Sequence, residues 1–231
     1  MRFLLLGAGE FLPWSGEAEK DALAEAPKGP VVVLPTASAP EGDAVFERWA
    51  AMGMSHYTEL GLEARVVNLR TREDASDGEL ISQLRGASMF FFSGGNPLYL
   101  AQVLEESPLL EAIKAEMVAG AVFAGCSAGA MVAGARVEQQ RGPAFWYVGL
   151  GLIPDVRFGV HWNRMPGFLP GLKEFVVSGT RRGQHFVGID EGTAISGDGM
   201  HWRVFGSGGV DVRSSGRRAR YRAGDEFTLD S

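Results

Sequence analysis

With 231 residues, 45% of them hydrophobic and 22% charged, the chain has the length and composition of one α/β domain, residues 1–231, and lacks the polar excess of a disordered or fibrous protein. A formal net charge of −6 argues against nucleic acid as a partner, and no run approaches the roughly 18 to 20 apolar residues of a membrane span. The single cysteine, Cys126, excludes an intramolecular disulfide framework and a Cys-rich zinc site; it fits a reducing compartment, so a cytoplasmic location is expected.

Taken in chain order, residues 3–6, 31–34, 64–69, 89–92 and 121–124 are short, uniformly apolar runs, the pattern of strands buried on both faces. Between them, 43–54, 77–84 and 97–119 carry apolar residues at spacings of three and four and read as crossover helices. The predicted fold is a doubly wound, mostly parallel sheet. Residues 172–178 look helical, and 186–222 read as short strands broken by Gly, an antiparallel extension of that sheet. Arg213, Arg217, Arg218, Arg220 and Arg222, interleaved with Gly and Ser, read as a solvated hairpin.

Ligands of open α/β sheets bind beyond the carboxyl ends of the strands, which directs attention to three polar, Gly-rich turns. Gly7-Ala8-Gly9-Glu10 lacks the third glycine of a dinucleotide fingerprint, since Leu12 and Pro13 stand there, and reads as a tight turn lining the crevice. Ser93-Gly94-Gly95-Asn96 follows the fourth run. Gly125-Cys126-Ser127-Ala128-Gly129 follows the fifth and precedes an apolar helical stretch, the context of a nucleophile elbow. Ser127 is then the candidate nucleophile, flanked by glycines that keep side chains out of the turn, and the N–H of Ala128 is a natural oxyanion donor. The rival reading has Ser127 merely capping the helix. Centring the motif on Cys126 would put alanines in the glycine positions, so Cys126 is expected to be a packed neighbour.

A serine nucleophile needs a base, and the base needs an orienting acid. Of the four histidines, His56 is expected on a helix surface, His201 in a late hairpin and His185 as a satisfied structural residue. His161, in Arg157-Phe158-Gly159-Val160-His161-Trp162-Asn163, is the expected base, and Asp190 or Glu191 at the end of an apolar run could hold it. No His-Glu-x-x-His run suggests a metal, and no cofactor is expected.

Together, Ser93-Gly94-Gly95-Asn96-Pro97-Leu98-Tyr99-Leu100, the elbow with its trailing Ala130, Gly149-Leu150-Gly151-Leu152 followed by His161, and Gly188-Ile189-Asp190-Glu191-Gly192 resemble the S51 peptidase family, in the family's order. The resemblance implies a class I glutamine amidotransferase-like fold and a Ser-His-Glu triad of Ser127, His161 and Glu191. It also implies an oxyanion hole from the amides of Ala128 and Gly95, or alternatively Gly94. Asn96-Pro97 after the glycines sets the chain nearer dipeptidase E than cyanophycinase, although Ser93 and Val160 replace a Gly and a Pro typical of the former. A serine peptidase of short peptides is therefore expected, with dipeptides bearing N-terminal Asp as candidate substrates and Asn96 and Arg164 as candidate substrate contacts. Arg157 and Arg164 are the cations near His161 that could meet such a carboxylate. An esterase or amidase acting on a small acyl group, or a silent ligand-binding homologue, are the alternatives.

Overall fold

The computed structural model describes residues 1–138, 146–165, 171–178, 180, 183–214 and 216–229. Five parallel strands, β1 (Arg2–Leu6), β2 (Val31–Leu34), β3 (Ala64–Val66), β4 (Met89–Phe92) and β5 (Val122–Cys126), run in the order β1-β5-β4-β2-β3. Side chains alternate across a strand, so each run feeds two cores at once. Phe3, Leu5, Val32, Leu34, Phe90 and Phe92 face one cluster; Leu4, Leu6, Val31, Val33, Met89 and Phe91 face the other.

Helices α1 (Gly16–Leu23) and α2 (Asp43–Glu59) supply Ala18, Ala22 and Tyr57 to the second cluster. The first is covered by α4 (Pro97–Leu104), α5 (Pro108–Val118) and α6 (Ala128–Val132), while the short α3 (Gly78–Ser82) is capped by Asp77, whose Oδ1 accepts the Glu79 amide at 2.7 Å. The helix expected over 97–119 is two helices. Pro108 disfavours helical geometry in the residue before it, and Ser107 caps the restart, its Oγ accepting the Leu110 amide at 3.0 Å.

The C-terminal part divides where one extension was expected. After the ribbon of β6 (Arg136–Glu138) and β7 (Trp146–Val148) come β8 (Val156–Gly159), α7 (Leu172–Ser178), β9 (His185–Ile189), β10 (Thr193–Gly197), β11 (His201–Gly206), β12 (Gly209–Ser214), β13 (Arg217–Arg222) and β14 (Glu226–Thr228). Strands β10, β11 and β14 extend the main sheet beyond β1, each pairing antiparallel with the strand before it, whereas β13-β12-β9-β8 form a second sheet with β8 and β9 parallel. Gly192 and Gly206 take positive φ where the chain passes between the two sheets, a conformation that Cβ-bearing residues avoid.

Three expectations are corrected here. The β12–β13 hairpin exists, yet two of its arginines are not simply solvated: Arg218 reaches the buried Asp211 at 3.1 Å, and Arg220 pairs with both Asp211 and the buried Asp190. Buried carboxylates require such partners because an unpaired ion away from water is strongly unfavourable. His56 is buried, its Nε2 2.6 Å from Glu19 Oε2. His185 is buried as well, but its Nδ1 has no partner among the described residues, whereas His201 sits exposed in a hairpin beside Asp198. Among the described residues no helix is long and apolar enough to cross a membrane.

Candidate active site

The carboxyl ends of β1, β4 and β5 converge on Ser127. Gly125 and Gly129 make the approach possible, because a Cβ on Gly125 would strike the Gly129 backbone and one on Gly129 would strike the Phe92 carbonyl. Ser127 itself sits at φ 50°, ψ −110°, an uncommon conformation for a residue with a side chain, and its amide is tied to the Leu6 carbonyl at 3.0 Å. Its hydroxyl makes no capping bond to α6, so the helix-cap role does not account for it.

Instead, Ser127 Oγ lies 3.1 Å from His161 Nε2, and His161 Nδ1 lies 2.9 Å from Glu191 Oε1. A carboxylate can only accept, so Nδ1 carries the proton and Nε2 is left to accept from the serine. His161 is held in the left-handed region at φ 49°, ψ 35°, where the chain leaves β8 and enters the turn Trp162–Arg164. Trp162 fixes that turn: it is fully buried against Phe186, lies against Gly188 where any Cβ would collide, and donates its indole N–H to Asp211 at 2.7 Å. The two candidate acids separate because consecutive side chains point to opposite sides of the chain. Glu191 faces His161, while Asp190 turns into the second sheet to Arg220 and the Gly209 amide.

The hydrogen bond from His161, then Arg164 Nε at 3.0 Å, hold the Glu191 carboxyl below its usual range. Its ionised form therefore adds to stability above the ordinary carboxylate pKa, and that contribution disappears as pH falls through the lowered value. Arg164→Gln removes the smaller cause and leaves the larger. The Glu191 titration, followed by side-chain carboxyl NMR, is expected to move upward yet stay below an unperturbed glutamate; an unmoved midpoint would contradict the pairing.

Backbone donors flank the serine hydroxyl. Gly94 N–H donates to Glu10 Oε1 at 2.8 Å, while among the described residues the amides of Gly95 and Ala128 have no protein acceptor. Gly95 adopts φ +144° with its Cα against the Ala37 carbonyl, a position closed to any side chain. Asn96 caps α4, its Oδ1 accepting the Tyr99 amide at 3.1 Å. Cys126 is buried; burial, then the nearby Glu10 carboxylate, push its thiol well above the usual range, so it stays protonated and unreactive. Two residues not singled out as site members in the sequence also belong here: Asn163 Oδ1 accepts the Glu191 amide at 3.0 Å, and Glu10 touches both the Gly94 amide and the Cys126 thiol.

Beside Ser127 and His161 opens a cavity of about 690 Å³, lined by Leu98, Met131, Val160, Trp162, Met165 and Val176 with Asn96 and Glu41. Arg157 is not among its described walls. That side chain is buried, and its Nη1 donates to the Val176 carbonyl at 2.9 Å and to Thr180 at 3.1 Å, tying α7 to β8. Arg164 is largely exposed and engages Glu191.

A serine at a strained strand-to-helix turn, joined to a histidine that a carboxylate holds, on a mostly parallel sheet with an antiparallel extension, defines an α/β protein of the class I glutamine amidotransferase-like fold. The family model described as peptidase family S51 matches residues 3–205, and the chain belongs to that family. It is 29% identical over 203 residues to cyanophycinase from Trichormus variabilis, a match covering 82% of this chain and 64% of that protein, and 28% identical over 196 residues to cyanophycinase from Geminocystis herdmanii. The chain thus spans less than two thirds of the first relative's length. The crystal structure of a peptidase from an acI-B1 Actinobacterium superposes with a TM-score of 0.89 at 31% identity, covering 99% of this chain and 96% of that one. A Listeria monocytogenes structure shares the fold at a TM-score of 0.65 and 21% identity.

Proposed function

We propose that the protein is a serine peptidase that hydrolyses short peptides through an acyl-enzyme on Ser127. The observation that carries this reading is the continuous hydrogen-bond line from Ser127 Oγ through His161 to Glu191, at 3.1 and 2.9 Å. His161 Nε2 takes the hydroxyl proton as Oγ attacks the carbonyl carbon, and Glu191 stabilises the imidazolium that forms. The amides of Gly95 and Ala128 receive the oxyanion. His161 then returns the proton to the leaving amine, the C–N bond breaks, and a water deprotonated by the same histidine hydrolyses the ester.

Selectivity for N-terminal Asp would require a cation facing the substrate carboxylate. Among the described residues the cavity lining carries no cationic side chain and one carboxylate, Glu41, and its other walls are chiefly apolar. The reading this favours is a preference for uncharged, apolar side chains beside the cleaved bond. Amino-acid release from Leu-Leu, Ala-Leu and Asp-Leu, with cyanophycin added because the relatives are named cyanophycinase, tests it. Leu-Leu is expected to exceed Asp-Leu by about tenfold or more, the scale of leaving a carboxylate unpaired against apolar walls. Preferred cleavage of Asp-Leu would contradict the specificity while leaving the chemistry standing.

A further inference from the structure

Resting on the proposed acyl transfer at Ser127, we infer that Glu10 is a positioning residue that aims the Gly94–Gly95 peptide, so that the Gly95 amide and not the Gly94 amide faces the reacting carbonyl oxygen. Glu10 is 6% exposed, and its two oxygens are both committed: Oε1 accepts the Gly94 amide at 2.8 Å, and Oε2 accepts the Cys126 thiol at 2.9 Å. One carboxylate thus spans the two chain segments from which the two oxyanion donors project, the turn after β4 and the elbow after β5.

The opposite side of the glycine turn is fixed independently. Asn96 N–H donates to the Ala37 carbonyl at 2.8 Å, and the Gly95 Cα rests against that same carbonyl. Glu10 thus holds the peptide before the Gly94–Gly95 peptide and Ala37 the one after it, and in this arrangement Gly95 N–H is left without a protein acceptor among the described residues.

As a source of stability this arrangement is poor. A buried carboxylate satisfied by one amide and one thiol recovers little of its lost hydration, since a thiol is a weak donor. Strain adds to the cost: the next residue, Phe11, takes φ 61°, unusual for a bulky side chain. Backbone held in such a state points to a placement role.

The rest of the Gly7–Glu10 turn serves the same geometry. Gly7 O receives the His161 amide at 3.4 Å, Ala8 O receives the Gly192 amide at 3.2 Å beside Glu191, and Leu6 O receives the Ser127 amide. Every arm of the site is referenced to this turn, and Glu10 supplies the reference for the oxyanion loop.

The test compares wild type with Glu10→Ala, Glu10→Asp and Glu10→Gln. Two readouts are followed: kcat and KM on the best-cleaved peptide, and the rate at which a fluorophosphonate labels Ser127, whose phosphoryl oxygen needs the same donors. Thermal melting identifies the folded variants. Glu10→Asp, one methylene too short to reach Gly94, and Glu10→Ala are expected to lower kcat and the labelling rate about 100-fold with KM changed less than about threefold. Glu10→Gln keeps an acceptor for Gly94 and is expected to stay within about tenfold of wild type. Should Glu10→Ala fail to fold, Glu10→Asp alone decides. A folded Glu10→Asp with wild-type kcat and labelling, or a loss confined to KM, overturns the inference while the Ser127 mechanism stands. A wild type that neither hydrolyses the peptides nor takes the label overturns both.

Discussion

Ser127→Ala is expected to lower peptide hydrolysis by about 10⁶-fold in kcat, leaving only the residual acceleration that binding and the oxyanion donors provide. The expectation follows from the single route the site offers. Among the described residues Ser127 Oγ is the one hydroxyl hydrogen-bonded to the His161 ring, at 3.1 Å, and the neighbouring Cys126 thiol is buried, protonated and turned to Glu10. KM is expected to change little, because the substitution removes one hydroxyl and leaves the apolar walls of the proposed substrate cavity in place. Circular dichroism and melting temperature should match wild type, since the hydroxyl caps no helix. A variant that keeps more than about a hundredth of wild-type activity would mean that another group attacks.

Gly129→Ala is expected to destabilise the fold strongly. The added methyl would lie inside the contact distance of the Phe92 carbonyl carbon and oxygen, which belong to a central strand and cannot retreat as a flexible side chain would. Overpacking against backbone costs about 3 kcal/mol or more, a large share of the about 5 to 15 kcal/mol that holds a typical domain together. Urea unfolding should show the lowered midpoint, and whatever protein remains folded should label at Ser127 slowly, because the turn that presents the hydroxyl is displaced. Gly78→Ala is the control. A Cβ there meets nothing within 4 Å at the start of α3, and the change should be neutral or stabilising by up to about 1 kcal/mol. Equal stability of the two variants would contradict the steric argument.

The parallel strands were legible in the sequence because runs such as Val31–Leu34 and Met89–Phe92 are short, β-branched or aromatic-rich and apolar at every position, as strands buried on both faces require. The elbow was legible because its glycines answer a local steric need. Less legible were features set by contacts distant in sequence. The choice between Asp190 and Glu191 depends on Arg220 and Gly209 waiting on the second sheet, 30 and 19 residues on, to take Asp190 away from His161. His56 looked like a helix-surface residue because its partner, Glu19, lies 37 residues earlier on α1. Arg157, near His161 in sequence, faces α7 and not the cavity, an orientation fixed by the Val176 carbonyl. Glu10 was visible as a polar residue in a tight turn, but its tie to Gly94 spans 84 residues and leaves no local pattern.

The most direct test of the central claim is to treat the protein with a fluorophosphonate, map the adduct by mass spectrometry, and assay hydrolysis of the peptide panel in the same sample. The account predicts one adduct, on Ser127, formed in step with loss of hydrolysis and absent from Ser127→Ala and His161→Ala. Hydrolysis that survives full modification of Ser127, or an adduct that forms as fast without His161, would contradict it.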